Sequence, residues 1–151
     1  MFRGISPLNL DSKGRMTMPT RYRERVRAMC DGHLVITVDR DRCLLLYPLP
    51  EWDEIEKRLT NLPSTDKHAR RLKRLLMGHA TDLEMDGQGR ILIPPALREF
   101  AGLKKQVVLV GQGNKFELWD EETWNTKRSQ WLEEEEEDGQ GLSEALATLV
   151  F

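Results

Sequence analysis

Asn9-Leu10-Asp11-Ser12-Lys13-Gly14-Arg15-Met16-Thr17-Met18-Pro19 occurs in this chain in a second version, Glu84-Met85-Asp86-Gly87-Gln88-Gly89-Arg90-Ile91-Leu92-Ile93-Pro94, at an offset of 75 (Asn9 to Glu84). Asp, Gly, Arg and Pro match in identity, and Leu10, Met16 and Met18 face Met85, Ile91 and Ile93. Downstream the match continues at an offset of 72 (Leu34 to Gln106). Leu34–Val38 falls against Gln106–Val110, Leu44–Tyr47 against Phe116–Trp119, and Trp52 against Trp124. The change of offset requires three extra residues in the first copy, near Arg27 to Gly32. Matching order, pattern and tryptophan mark a structural repeat, a unit of about 45 residues present twice.

Within a unit the periodicity reads strand, turn, strand, short helix, strand, turn, strand. Leu8 and Leu10 alternate with Asn9, and Met16 and Met18 with Arg15 and Thr17, the period of a half-buried strand. Between them Asp11 can accept backbone N–H bonds in an Asx turn, and Gly14 supplies a positive φ. Asp86, Gly89 and Arg90 repeat that turn in the second copy. Pro19 and Pro94 end the strands, since proline cannot donate to a ladder. Thr20 is then the expected N-cap of a helix with Tyr22, Val26 and Met29 on its apolar face. Pro95 opens the second copy's helix and Gly102 closes it. Asp39-Arg40-Asp41-Arg42 joins the later strands of copy one, and Gly111-Gln112-Gly113-Asn114 is expected to do so in copy two. Such a unit buries too little apolar surface to stand alone, so the copies are expected to interlock into one barrel, an α+β, mainly β, fold.

Helices fill the remainder. Glu51 to Leu62 places Trp52, Ile55 and Leu59 on one side. Ser64 or Thr65 is the expected cap of a second helix with Ala69, Leu72 and Leu76 inward and Arg70, Arg71, Lys73 and Arg74 outward. Asp120 is the expected cap of a final helix with Trp124 and Trp131, and Ser143 is expected to begin a short one. The expected organisation is repeat 1 over 5–52, a helical linker over 53–80, repeat 2 over 81–124, and a C-terminal helix with an acidic tail over 125–151.

Composition narrows the function. At 151 residues the chain can bury a core without disulfide or metal staples. No secretory h-region follows Met1 and no apolar run approaches a membrane span, so no membrane partner is expected. Two cysteines, Cys30 and Cys43, make no disulfide framework and fit a reducing cytoplasm. The net charge of −2 hides an asymmetry: residues 1–80 carry +6 and residues 81–151 carry −8. Much of the latter is one run, Glu133 to Asp138, expected to form an extended, solvated tail. A basic front half fits a polyanion partner.

Competing chemistries find no support. Asp82-x-Glu84-x-Asp86-Gly87 imitates the start of a calcium loop, but Ile93 stands where a bidentate Glu is needed. Cys30-x-x-His33 with Cys43 lacks a fourth zinc ligand and a standard spacing. Gly87-x-Gly89 and Gly111-x-Gly113 lack the further residues of phosphate loops. No nucleophile–base pair is evident. No metal, cofactor, small-molecule substrate or enzymatic activity is expected.

Met1-Phe2-Arg3-Gly4, Leu10 to Arg15, Leu45-Leu46-Tyr47-Pro48-Leu49-Pro50-Glu51-Trp52, Met85 to Arg90 and Asn114-Lys115-Phe116-Glu117-Leu118-Trp119-Asp120 resemble the MraZ family of bacterial transcriptional regulators. The resemblance runs from residue 1 to about 132. It implies tandem SpoVT/AbrB-type swapped-hairpin repeats forming a double-split β-barrel. It also implies ring-like homo-oligomers on double-stranded DNA, at direct repeats in the promoter of the division and cell-wall gene cluster, associated with the nucleoid. In that family the first loop contacts DNA, which carries over to Lys13 and Arg15. Gln88 stands where Lys13 does, so Arg90 is assigned with Asp86 to pinning its own turn.

The residue chemistry agrees on the partner. A two-stranded ribbon fits the major groove, and an arginine fork pairs with guanine or phosphate. Arg15 has two readings, a DNA contact presented at the tip of its turn or an intramolecular pair with Asp11. Arg3, Arg21 and Arg23 are further candidate DNA contacts, with a solvated helix face as the alternative for the series Arg21 to Arg27. A different class of function is an antitoxin-like module whose acidic C-terminal segment binds a protein while the barrel only dimerises.

Overall fold

The computed structural model describes residues 1–137 together with Leu146 and Leu149. The chain divides into two compact units, Met1–Glu121 and Glu122–Phe151. In the first, repeat one supplies β1 (Phe2–Asn9), β2 (Arg15–Thr17), α1 (Thr20–Cys30), β3 (His33–Val38) and β4 (Leu44–Pro48). Helices α2 (Leu49–Thr60) and α3 (Lys67–Leu72) follow, with a π-helical turn at Lys73–Met77. Repeat two supplies β5 (Thr81–Glu84), β6 (Arg90–Leu92), α4 (Pro95–Phe100), β7 (Gln106–Gly113) and β8 (Phe116–Asp120).

The repeats exchange strands. Six strands form one sheet in the order β1-β7-β8-β4-β3-β5, and β2 pairs with β6 in a separate antiparallel ribbon. Exchanging each strand for its counterpart in the other copy reverses that order onto itself, so an approximate two-fold passes between β8 and β4. The cause is hydrophobic. Met16 and Ile91 are fully buried in the ribbon's inner face, and they join Leu34, Ile36, Leu44, Leu46, Leu109 and Leu118 of the large sheet in one core. Burying each such side chain contributes about 1.5–3 kcal/mol, which neither half of a ribbon obtains alone. Thus the mainly β, interlocked fold read from the repeats is the fold observed. A second cluster packs Trp52 and Leu59 of α2 on Val35, Leu45 and Tyr47.

Several local expectations need correction. Thr20 is the first residue of α1, not its cap; Pro19 holds the N-cap position without a side-chain bond. Met29 lies 39% exposed, while the next residue of the same turn, Cys30, packs against the core. Helix α2 begins at Leu49, since Pro50 is tolerated in a first turn whose N–H groups have no helical partner. Asp66, rather than Ser64 or Thr65, caps α3, its carboxylate accepting the His68 N–H at 2.9 Å. Gly111 and Gly113 belong to β7, and the turn is tightened to Asn114-Lys115, closed by Gln112 N–H to Lys115 O at 2.9 Å. Gly111 is needed because the β1 backbone crosses there: an added Cβ would lie 2.5 Å from Arg3 N.

The second unit holds all but the first residue of α5 (Glu121–Glu137), which carries Trp124 and Trp131, their ring centroids 5.8 Å apart, edge to face. The acidic run is not extended: Glu133 to Glu137 continue this helix. Glutamate is a good helix former, and these five side chains are all exposed, so water screens their repulsion. Asp138 and the helix expected from Ser143 lie outside the described residues.

Candidate nucleic-acid interface

The two repeated turns have the same internal wiring. In the first, Asp11 Oδ1 accepts the Lys13 and Arg15 N–H groups at 2.9 and 2.8 Å, while Oδ2 holds Arg15 Nε at 2.6 Å. In the second, Asp86 Oδ1 accepts Gln88 and Arg90 N–H at 2.9 and 2.8 Å, and Oδ2 holds Arg90 Nε at 2.8 Å. Gly14 and Gly89 close the turns at φ +82° and +80°. The backbone bonds, with the guanidinium beside it, push the Asp86 carboxyl down to about 2, and the same donors lower Asp11. Both carboxylates therefore stay charged throughout the physiological range.

Each turn is completed by the other repeat. Arg98 of α4 lies over Gly14, donating from Nε to Ile93 O at 3.1 Å, and Ile93 N–H donates to Gly14 O at 3.1 Å. Reciprocally, Arg23 of α1 lies over Gly89 and donates from Nε to Met18 O at 2.7 Å, while Met18 N–H reaches Gly89 O at 2.7 Å. A side chain at either glycine would collide with the arginine above it. Arg98 was not singled out in the sequence, although the offset of 75 that aligns the turns also aligns Arg23-Glu24 with Arg98-Glu99.

The symmetry breaks at the charges. Exposed Ser12 and Lys13 form the apex of the first turn; in the second, exposed Gly87 and Gln88 do. Arg27 braces the second turn, its Nη2 donating to Asp86 O at 3.3 Å and Gly87 O at 3.2 Å. Gly102 occupies the corresponding position by the first turn, at the same offset of 75 (Arg27 to Gly102). A shallow groove opens there instead, lined by Asp11, Ser12, Arg98, Lys104 and Lys105 among others. Lys104 and Lys105 were also missed by sequence reasoning; their only signal is the dibasic step after Gly102.

Arg15 is not at the tip. It begins β2 at the foot of the turn, its side chain 29% exposed against 35% for Arg90. Since Met16 and Ile91 point inward, Arg15, Thr17, Arg90 and Leu92 share the outer face of the ribbon. The Asp11 pair occupies only Nε of Arg15, and a guanidinium has four further N–H donors on its two Nη atoms. Pinning and presentation are thus compatible in one side chain.

The other sequence candidates divide among separate settings. Arg21 Nη2 donates to Ser6 Oγ on β1, and its guanidinium lies 4.8 Å from the Tyr22 ring centre. Arg3 is exposed on the same strand, and its carbonyl accepts the Tyr22 hydroxyl. Arg23 belongs to the second turn. Hence Lys13 and Arg15 form one group, Arg23 and Arg90 another, and Arg3 and Arg21 decorate the β1 edge. Cys30, His33 and Cys43 have separate partners, Val26 O, Glu84 and Asp39.

Comparison with known proteins decides the ancestry. The family described as "MraZ protein, putative antitoxin-like" matches residues 1–75 and again 76–142, one turn in each match. A Thioalkalivibrio sulfidiphilus protein named transcriptional regulator MraZ is 65% identical over 137 residues, covering 91% of both chains. The Methylococcus capsulatus protein of that name is 55% identical across 100% of both, and that of Coxiella burnetii 53% across 99%. The chain belongs to the MraZ family. The MraZ relatives are named as regulators of transcription, not as enzymes. Among the described residues of this MraZ chain, no helix is long and apolar enough to cross a membrane.

Proposed function

We propose that this chain regulates transcription by binding duplex DNA through its first turn, with Arg15 reading base edges or phosphate from the ribbon and Lys13 contacting the backbone. In this reading its operators are direct repeats in the promoter of the division and cell-wall gene cluster, the chain's own operon included. It acts there as a ring-like homo-oligomer in the cytoplasm, at the nucleoid. One observation carries the reading: Asp11 fixes Arg15 through Nε alone, so the Nη edge is pre-oriented without being consumed. Pre-orientation reduces the ordering cost of binding. Arg98, Lys104 and Lys105 add positive charge around the adjoining groove. Arg3, Arg21 and Arg23 serve as outlying phosphate contacts.

The test is fluorescence anisotropy on the promoter upstream of this reading frame, after footprinting defines the site. Arg15→Ala should weaken specific binding by the equivalent of ~1–3 kcal/mol per bidentate contact, multiplied where subunits are linked. Arg90→Ala removes the same internal pair from the turn without Lys13, so it should match Arg15→Ala in lost thermal stability and retain far more affinity. Near-wild-type operator affinity in folded Arg15→Ala would overturn the proposal. The antitoxin-like description of the family supports a second reading, in which the acidic helix binds a protein partner. Steep salt dependence of duplex binding favours the first reading, and no binding to any duplex favours the second.

A further inference from the structure

A groove of about 710 Å³ lies where the β3–β4 turn meets α3 and the π-helical turn, away from both Asp–Arg turns. Its apolar lining comes from Leu45, Leu72, Leu76 and Phe100, buried or half-buried side chains on three separate segments. Leu75, 43% exposed, continues that lining to the surface. Three exposed arginines, Arg40, Arg42 and Arg71, also border the groove. None of the three forms an ion pair among the described residues. Asp39 is the acid in the lining, and its Oδ2 is already engaged by Asp41 N–H at 3.0 Å and Cys43 Sγ at 3.8 Å.

Two features shape this wall. Arg42 is a non-glycine residue at φ +69°, a conformation that costs free energy and brings its guanidinium 5.2 Å from the Phe100 ring centre. The π-helical turn offsets its carbonyls, and these are satisfied from within: the fully buried Thr37 donates Oγ1–H to Leu76 O at 2.6 Å, and His79 Nδ1 lies 2.7 Å from Leu75 O. Single π turns of this kind recur at functional sites.

We propose that this groove binds a small amphipathic anion, a compact phosphate or carboxylate head on an aliphatic or aromatic body. The volume falls in the range of small-molecule sites, which are mostly apolar with a few convergent polar groups. The arginines answer the head, since guanidiniums without an ion-pair partner favour planar or tetrahedral oxyanions. The leucines and Phe100 answer the body. A phosphate backbone would leave that apolar lining unused, and a neutral hydrophobe would leave the arginines unmatched.

Isothermal titration with decyl phosphate and with decanoate, both below their micelle concentrations, tests the assignment and distinguishes the two heads. Saturable binding at one site per chain is expected for at least one of them, with inorganic phosphate and 1-decanol each binding at least tenfold more weakly. Arg71→Gln and Leu75→Glu should each weaken binding tenfold or more, and Arg74→Gln, outside the lining, should leave it unchanged. No saturable binding of either probe overturns the proposal, as does binding that survives both lining substitutions in folded protein. A fall in molecular mass by light scattering in Leu75→Glu, without ligand binding to the wild type, would assign the face to a second copy of the chain and overturn it equally.

Discussion

Gly14→Ala isolates the contact by which one repeat completes the other. The backbone there sits at φ +82°, which costs an L-residue ~1–2 kcal/mol. The new Cβ would also lie 2.4 Å from Arg98 Cζ and 2.5 Å from Nη1, so the guanidinium must move by more than half an ångström. That displacement strains or breaks the Arg98 Nε bond to Ile93 O, with a net loss of ~1–2 kcal/mol for a charged donor. The sum is a destabilisation of roughly 2–4 kcal/mol, or about 4–16 °C in Tm for a chain of this size. Thermal unfolding followed by circular dichroism reads it. In an Arg98→Ala background the collision is gone, so Gly14→Ala should cost only the backbone portion, leaving a coupling of ~1–2 kcal/mol. Gly87→Ala, with nothing within 4 Å of its added Cβ and no positive φ, should be near neutral. Equal costs for Gly14→Ala in the two backgrounds would refute the reasoning.

Other outcomes follow from the same geometry. Gly111→Ala drives a Cβ to 2.5 Å from Arg3 N, a backbone atom that cannot rotate away, so β1 should lose hydrogen-exchange protection over residues 2–9; unchanged protection would count against the close crossing. Asp86 titrates at about 2 in the folded protein, below its ordinary 3.8, so its stabilisation is complete above about pH 4 and lost as pH falls through about 2. The Tm gap between wild type and Asp86→Asn should therefore close as pH falls toward 2, and a gap constant from pH 7 to 2 would contradict it. Burial raises the Glu117 carboxyl, with Asp39 and Asp41 adding to the rise, so the folded state favours its protonated form and loses stability as pH rises through and above the ordinary carboxylate range. Glu117→Gln, which keeps an acceptor for Trp119 Nε1, should gain in relative Tm between pH 4 and 7, and a pH-independent difference would dismiss the charge as the cause.

The fold was legible because its evidence is written twice. Two copies of an alternating strand pair, each too small for its own core, leave interlocking as the stable solution, and Met16 facing Ile91 in the ribbon realises it. The turn chemistry was equally readable from Asp11 and Gly14. What escaped was what depends on other segments. On sequence alone Gly-Arg, ending the motif, puts Arg15 at the tip, yet the turn closes one residue earlier and leaves Lys13 at the apex. Arg98 escaped because its role needs a glycine of the other repeat beneath it. For Glu133 to Glu137 the like charges predict an extended chain, but glutamate's helix propensity prevails once the run continues a helix already formed.

The pairing of β1 with β7 sets Phe2 opposite Gly113 and Asn9 opposite Gln106. During synthesis, therefore, β1 has no strand neighbour until β7, nearly a hundred residues further along, has been made. Among the described residues, its other edge faces no strand even in the finished sheet. At translation rates of roughly 5–20 residues per second, that strand waits for several seconds with both edges open. In this interval the apolar Phe2 and the unpaired backbone are available to any other nascent copy, and a polysome carries many. Arg3 and the arginines of α1, which emerge soon after it, place positive charge close behind that open strand.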